Sequence, residues 1–199
     1  GNVAQMGPLP EVLLPDYDPA SPPAAVNSAM DPGGAGGTAE FDTYGSTSNN
    51  IENFYGSYDV AVIEVYFTLE EDSAVKFDFI FGSVEYPYWT SLYTDAFLVF
   101  VDGTLPADMV TYDANNNPVQ VGTSFAGLTR TEDTNTAFAL PHGLIHHLTT
   151  TTPVLESGEH VLIFEVGDVN DQILDSAAFI TNLRTGVGTP GTEPSDDPC

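Results

Sequence analysis

The sequence predicts an all-β protein: an antiparallel two-sheet β-sandwich of the jelly-roll kind, with extended N- and C-terminal tails. Three observations predict it. Short apolar runs separated by turn residues recur from about residue 39 to 184. One of them, AVKFDFIF, alternates strictly, with Val75, Phe77, Phe79 and Phe81 on one face and Lys76 and Asp78 on the other, the period of two that a half-buried strand requires. No segment combines a helical apolar period with helix caps, so the core domain is expected to be almost entirely β.

Each segment follows from its composition. Residues 1–38 are rich in Pro, Gly and Ala (GPLPEVLLPDYDPASPP, then DPGGAGG). Prolines this dense deny a regular helix or a central strand and leave extended backbone. Only EVLLPDY carries a short apolar face, in Val12, Leu13 and Leu14. The sandwich, residues 39–184, begins with DVAVIEVYFTL as a strand, and AVKFDFIF follows. DAFLVFVDG is nearly continuous in apolar residues and stops at Asp102-Gly103, a hairpin-type turn signal. HVLIFEV follows Ser157-Gly158 in the same manner, and SAAFITNL completes the set. Residues 185–199, TGVGTPGTEPSDDPC, have the composition of a linker. Cys199 excludes an internal disulfide framework and a cysteine-based zinc site; it reads as a point where a longer polypeptide was cut, or as half of an intermolecular bridge.

The charge balance excludes whole classes of partner. Against 29 acidic residues stand Lys76, Arg130 and Arg184, a formal net charge of −26. Such a surface repels phosphate backbones and anionic headgroups, which argues against nucleic acid, and it attracts cations. Its self-repulsion must be relieved by salt or bound metal, conditions met in a salty or calcium-rich exterior. No apolar run approaches the roughly 20 residues of a membrane span, so direct membrane insertion is not expected. The chain reads as a mature extracellular or cell-surface protein whose signal peptide has been removed.

The acids gather where chemistry could use them. GDVNDQILDS places Asp168, Asp171 and Asp175 between two apolar runs, hence at one edge of the sandwich. Clustered carboxylates repel one another, and a hard cation relieves this; calcium, with six to eight oxygen ligands and tolerant geometry, suits the cluster better than magnesium. The spacing is not that of an EF-hand, because Gln172 and Ile173 stand where that loop needs an acid or amide and a glycine. The alternative is that these are ordinary solvated loop acids, with Asp175 capping a turn. A second acidic feature, FGSVEYPYWTSLYTDAFLVF, has Glu85 after a strand and Asp95 opening the next. Between them Tyr88, Trp89 and Tyr93 are candidates for contact with a glycan or a protein, whereas Tyr86 reads as part of a loop folded over the core.

Two other chemistries find less support. His142, His146 and His147 in PHGLIHHL, with His160 elsewhere, could bind zinc or copper if helical. Gly143 and the following LTTTTP argue instead for a strand end or loop, with the histidines as surface or interface groups. There is no G-x-S-x-G elbow and no cysteine in the core. A carboxylate pair such as Glu85 with Asp95 or Asp168 could in principle serve glycoside hydrolysis, but the same acids are better explained as ligands, and no enzyme is expected.

FDFIFGSVEYPYWTSLYTDAFLVFVDG resembles the F-x-F-x-F-x-S-E-E-Y-P…(N/D)-D-x-F-x-F segment of the choice-of-anchor L domain family. EVGDVNDQILDSAAFI resembles that family's D-x-x-D-x-x-x-D-S-A-V-F motif, and YDVAVIEVYFTLEEDSAVKFDF is similar to the strands that precede E-Y-P. The resemblance spans roughly residues 40 to 184. It implies a secreted or cell-surface bacterial module attached by varied C-terminal anchors, without an established enzyme activity. It also implies that Glu85, Asp95, Asp168, Asp171 and Asp175 belong together as family-typical acids, from which one shared Ca2+ site is expected. Val84 replaces the first Glu of E-E-Y-P and removes one possible ligand. The expected function is that of an extracellular, calcium-stabilised subunit of a surface fibre or other homopolymer, its N-terminal segment docking on a neighbour. The alternative is an adhesin-type module that binds a surface glycan or other cell-surface ligand through Tyr88, Trp89 and Tyr93.

Overall fold

The structure is a computed structural model and describes residues 36–47, 54–83, 95–116, 118–121, 144–170 and 176–195. In chain order it contains helix α1 (Ala39–Thr47) and strands β1 (Ser57–Leu69), β2 (Ala74–Ser83), β3 (Ala96–Val101), β4 (Val119–Gln120), β5 (Leu144–Thr151), β6 (Gly158–Val169), β7 (Ser176–Gly186) and β8 (Gly191–Pro194). The strands form two antiparallel four-stranded sheets, ordered β1-β6-β3-β4 and β7-β2-β5-β8. The expected all-β sandwich is therefore what the chain adopts.

The alternation in β2 does what its period requires. Phe77, Phe79 and Phe81 are fully buried between the sheets, with Phe97 and Val99 of β3 and Leu162 and Phe164 of β6. The rings interlock: Phe79 and Phe97 have centroids 4.7 Å apart, and Phe77 meets Phe164 edge-on at 5.2 Å. Such contacts add about 0.5–1.5 kcal/mol each beyond the area they bury. At Asp102 the backbone turns left-handed (φ 57°). The chain then returns beside β3 through one 3-10 turn, with Val110 N–H donating to Val99 C=O at 2.8 Å.

Two elements depart from the sequence reading. The first is α1, a helix in a domain expected to be almost entirely β. Thr38 caps it, its Oγ1 accepting the Phe41 N–H at 3.2 Å, and Glu40 and Asp42 sit in the first turn, where the helix dipole favours negative charge. Phe41 and Tyr44, three residues apart and so on one face, pack on Ala96, Leu98 and Phe100 of β3 as a second core outside the first sheet. Tyr44 also donates to Gln120 Oε1. Asp42 Oδ1 accepts both the N–H and the hydroxyl of Ser57, at 3.0 and 2.8 Å, which ties the helix to β1. A helix of nine residues is not stable alone; this one exists because β3 offers it an apolar face.

The second departure is the C-terminal stretch expected to be linker-like. Gly191–Pro194 pair with β5 as an edge strand. The Thr150 and Thr192 hydroxyls lie 2.8 Å apart, and Thr192 N–H donates to Tyr112 C=O. Composition reads the tail's low apolar content correctly but cannot show that β5 leaves an edge whose backbone groups need partners.

Candidate functional site

The strand periods that build the core also decide what closes its end. In β6 the inward residues are Leu162, Phe164 and Val166, so the next inward position is Asp168. In β3 they are Phe97 and Val99, so the preceding one is Asp95. Because Ala96 pairs with Gly167, Asp95 and Asp168 occupy the next step of the same ladder, side by side. The opposite sheet contributes Ser83, which continues the inward series of β2, and its ladder partner Ser176 on β7. Ser176 Oγ donates to Asp95 Oδ2 at 2.6 Å, linking the two sheets. Two carboxylates and two hydroxyls thus cap the phenylalanine core. Asp95 is 0% and Asp168 1% exposed, and Ser83 is equally buried. For Asp168 the solvated-loop alternative is corrected: the alternation that points the phenylalanines inward points its carboxylate inward too, as it does that of Asp95.

Of the five acids expected to share a cation, Asp95 and Asp168 are therefore brought together. Glu85, Asp171 and Asp175 lie outside the described residues. In sequence Glu85 follows Ser83 by two positions, Asp175 immediately precedes Ser176, and Asp171 follows Asp168 by three, so all three belong to the connections that start or finish at this layer. Asn170 shapes one exit: it is left-handed (φ 74°), its N–H donates to Gly56 C=O at 2.9 Å, and its Oδ1 accepts the Tyr55 N–H at 2.7 Å. Among the described residues, no group of three or more His, Cys, Asp or Glu side chains is placed to hold a metal ion. Asp95 and Asp168 offer hard oxygen donors out of water, a chemistry that fits calcium. Tyr88, Trp89, Tyr93, Val12, Leu13 and Leu14 also lie outside the described residues.

The histidines separate. His142 lies outside the described residues, and His146 lies in β5 opposite Phe81. His147, beside Ile80, is buried, so of the expected surface or interface roles the surface one does not hold for it: strand β5 continues through this stretch and its outward side chains are covered as well. His160 is held at both ring nitrogens, Nδ1 2.7 Å from Asp102 Oδ2 and Nε2 2.7 Å from Glu156 C=O. The hydrogen bond to Asp102 and that to the Glu156 carbonyl hold its pKa above the usual imidazole range, against a smaller opposing effect of burial.

Elsewhere, the buried acids Asp78 and Glu165 were not among the candidates drawn from the sequence. Asp78, on the face of β2 opposite the phenylalanines, is 2% exposed. A bulge in β7, where the ladder slips between Lys76 and Asp78 and Asn182 turns left-handed (φ 57°), aims Asn182 and Arg184 at it together. Asp78 Oδ2 accepts from Asn182 Nδ2 at 2.6 Å and from one Arg184 nitrogen at 2.8 Å; Oδ1 accepts from Thr149 Oγ1 at 2.7 Å and from the other Arg184 nitrogen at 3.2 Å. Burial alone raises the Asp78 pKa, but these hydrogen bonds and the guanidinium charge outweigh it and hold the carboxyl below its usual value. Glu165, under α1, has one described donor, the Thr38 hydroxyl at 2.8 Å, and burial pushes its pKa up. Parity along β6 places Glu165 on the outer face of the first sheet, the face on which α1 packs.

Among the described residues, no helix is long and apolar enough to cross a membrane. No curated protein and no solved structure matches the chain. The family model for the choice-of-anchor L domain matches residues 24–183, a span that takes in α1, β1 through β6 and most of β7, with Asp95, Asp168, Ser83 and Ser176. That family is one of bacterial cell-surface or extracellular domains and is not known as enzymatic. With four-fifths of its length matched, the chain belongs to the choice-of-anchor L domain family.

Proposed function

We propose that this cell-surface domain is a calcium-stabilised structural module that assembles with copies of itself. The observation that carries the proposal is the buried pair Asp95 and Asp168 at the rim where the connections bearing Glu85, Asp171 and Asp175 join the strands. Two neighbouring carboxylates out of water favour a cation between them, and calcium accepts the mixed carboxylate and hydroxyl oxygens this rim supplies. Asp95 and Asp168 would be ligands from the first sheet, and the loop acids would complete the set. The cation would convert repulsion into a clamp across the two sheets. In a chain of net charge −26, calcium would also lower the repulsion between copies, so assembly should weaken in chelator or at low ionic strength.

Calorimetry and thermal melting of chelator-stripped protein test the metal. Saturating calcium at about 100 times its dissociation constant would stabilise the fold by about 2.7 kcal/mol, a melting rise of roughly 5–10 °C for a domain of this size. Asp168→Asn should lose most of that rise. The absence of both binding heat and any calcium-dependent rise would remove the metal from the proposal.

A further inference from the structure

Among the described residues, one flank of the sandwich is unfinished. Thr192 N–H donates to Tyr112 C=O, so β8 closes the side where β4 lies, while β7 packs across from β6. The edges β1 and β7 therefore share the opposite flank. Beyond Ala61 the outer edge of β1 pairs with nothing among the described residues; before it, Gly36 forms an antiparallel bridge with Tyr58. Ile63 pairs with the core residue Phe164 and so faces inward, yet it is 58% exposed. Leu183, two positions before the partner of the core residue Val75, also faces inward and is 42% exposed. Tyr66, on the outer face of β1, is 74% exposed. Inward-facing apolar residues left in water mark a core that lacks a strand. Long apolar edges are usually protected by Lys or Pro, and β1, SYDVAVIEVYFTL, contains neither.

We propose that this flank accepts a strand from a second copy, formed by Glu11–Leu14 of that copy's N-terminal segment. This rests on the self-assembly reading above. Val12 and Leu14, sharing one side of an extended strand, would enter between Ile63 and Leu183, and Leu13 would lie toward Tyr66. Pro10 and Pro15 bracket the insertion and confine the added ladder to those four residues, as suits an edge strand. The acceptor stretch Ala61–Leu69 carries one charge, Glu64, in a chain dominated by acids, so an apolar donor meets less repulsion there than elsewhere. The roughly 20 residues between Leu14 and Gly36 reach about 70 Å when extended, ample to span two neighbouring domains. Donor and acceptor surfaces differ, so the contact is head-to-tail and propagates as an open polymer.

The test uses full-length chains in calcium at moderate salt, followed by sedimentation velocity and negative-stain microscopy. Wild type should form polymers. The donor variant Leu13→Asp/Leu14→Asp and the acceptor variant Ile63→Asp should each stay monomeric, with association weakened at least about tenfold. The donor substitutions precede the strands in sequence and the acceptor substitution is at an exposed position, and unchanged circular dichroism would show that both variants fold. An equimolar mixture of the two should form discrete dimers, because only the acceptor variant's intact tail can enter the donor variant's intact flank. Polymers from either variant alone would overturn the strand assignment while leaving self-assembly standing. A wild type that stays monomeric with and without calcium would overturn both.

Discussion

Replacing Arg184 by Met tests the electrostatic account of the second sheet. Asp78 is buried and receives four hydrogen bonds, two of them from Arg184. Met keeps the aliphatic stem of the arginine, so the loss is confined to the guanidinium. Two charge-assisted hydrogen bonds at about 1.5–3 kcal/mol each set an upper range, and the partial exposure of Arg184 reduces it. Thr149 and Asn182 remain as donors, but a buried carboxylate that loses its counter-ion still costs several kcal/mol in other proteins. Together these place the destabilisation at about 2–4 kcal/mol at pH 7.

The pH dependence gives the sharper test. The folded-state pKa of Asp78 lies below its unfolded value. The pair's contribution is therefore fully present above the unfolded pKa, near 4, and is lost as pH falls through the folded one. Urea unfolding of wild type and Arg184→Met at pH 7, 5 and 3 measures the difference, in which the other acids cancel. The gap should hold from pH 7 to 5 and narrow below 4. A gap under about 0.5 kcal/mol at pH 7, the size of an ordinary surface substitution, would refute the argument, and so would a gap that is the same at pH 3 as at pH 7. Asp78→Asn should cost a similar amount, because its amide NH2 would face a donor at whichever oxygen position it takes.

Two other titratable groups give predictions of opposite sense. Glu165→Gln should stabilise the protein by about 1 kcal/mol at pH 7, because burial disfavours the ionised acid while glutamine can still accept from Thr38. With the folded pKa raised, wild type recovers as pH falls through it, so the advantage should vanish in acid; a variant less stable than wild type at pH 7 would contradict this. His160 should titrate above its ordinary value near 6.5 when followed by NMR. The pair with Asp102 should then contribute below pH 6.5 and be lost as pH rises through the folded pKa. Because the Asp102 side chain is 44% exposed, Asp102→Asn should cost less than about 1 kcal/mol at pH 6, and an unshifted imidazole would remove that contribution.

How much of this was legible in one dimension depended on which interactions are local. Side-chain alternation belongs to the backbone of a single strand, so AVKFDFIF named its own inward residues and DAFLVFV and HVLIFEV declared themselves strands. The two family motifs likewise placed Asp95 and Asp168 among the candidate acids. The same parity, carried one step further along β2, β3 and β6, turns Ser83, Asp95 and Asp168 toward the core, so this much of the rim is present in the sequence.

Other features were fixed only by what came from far along the chain. Helix α1 has two apolar anchors and too few residues to form alone, so it appears only where β3 presents Leu98 and Phe100. That packing in turn buries Glu165 and explains why β3 is apolar on both faces. Asp78 acquires its partners through a bulge more than 100 residues away, and β8 exists because β5 had an edge to fill. Periodicity, composition and net charge are properties of neighbouring residues and could be read directly. Which faces are covered, which acids meet and which edges stay open depend on the pairing of distant strands, and the tertiary structure alone decided them.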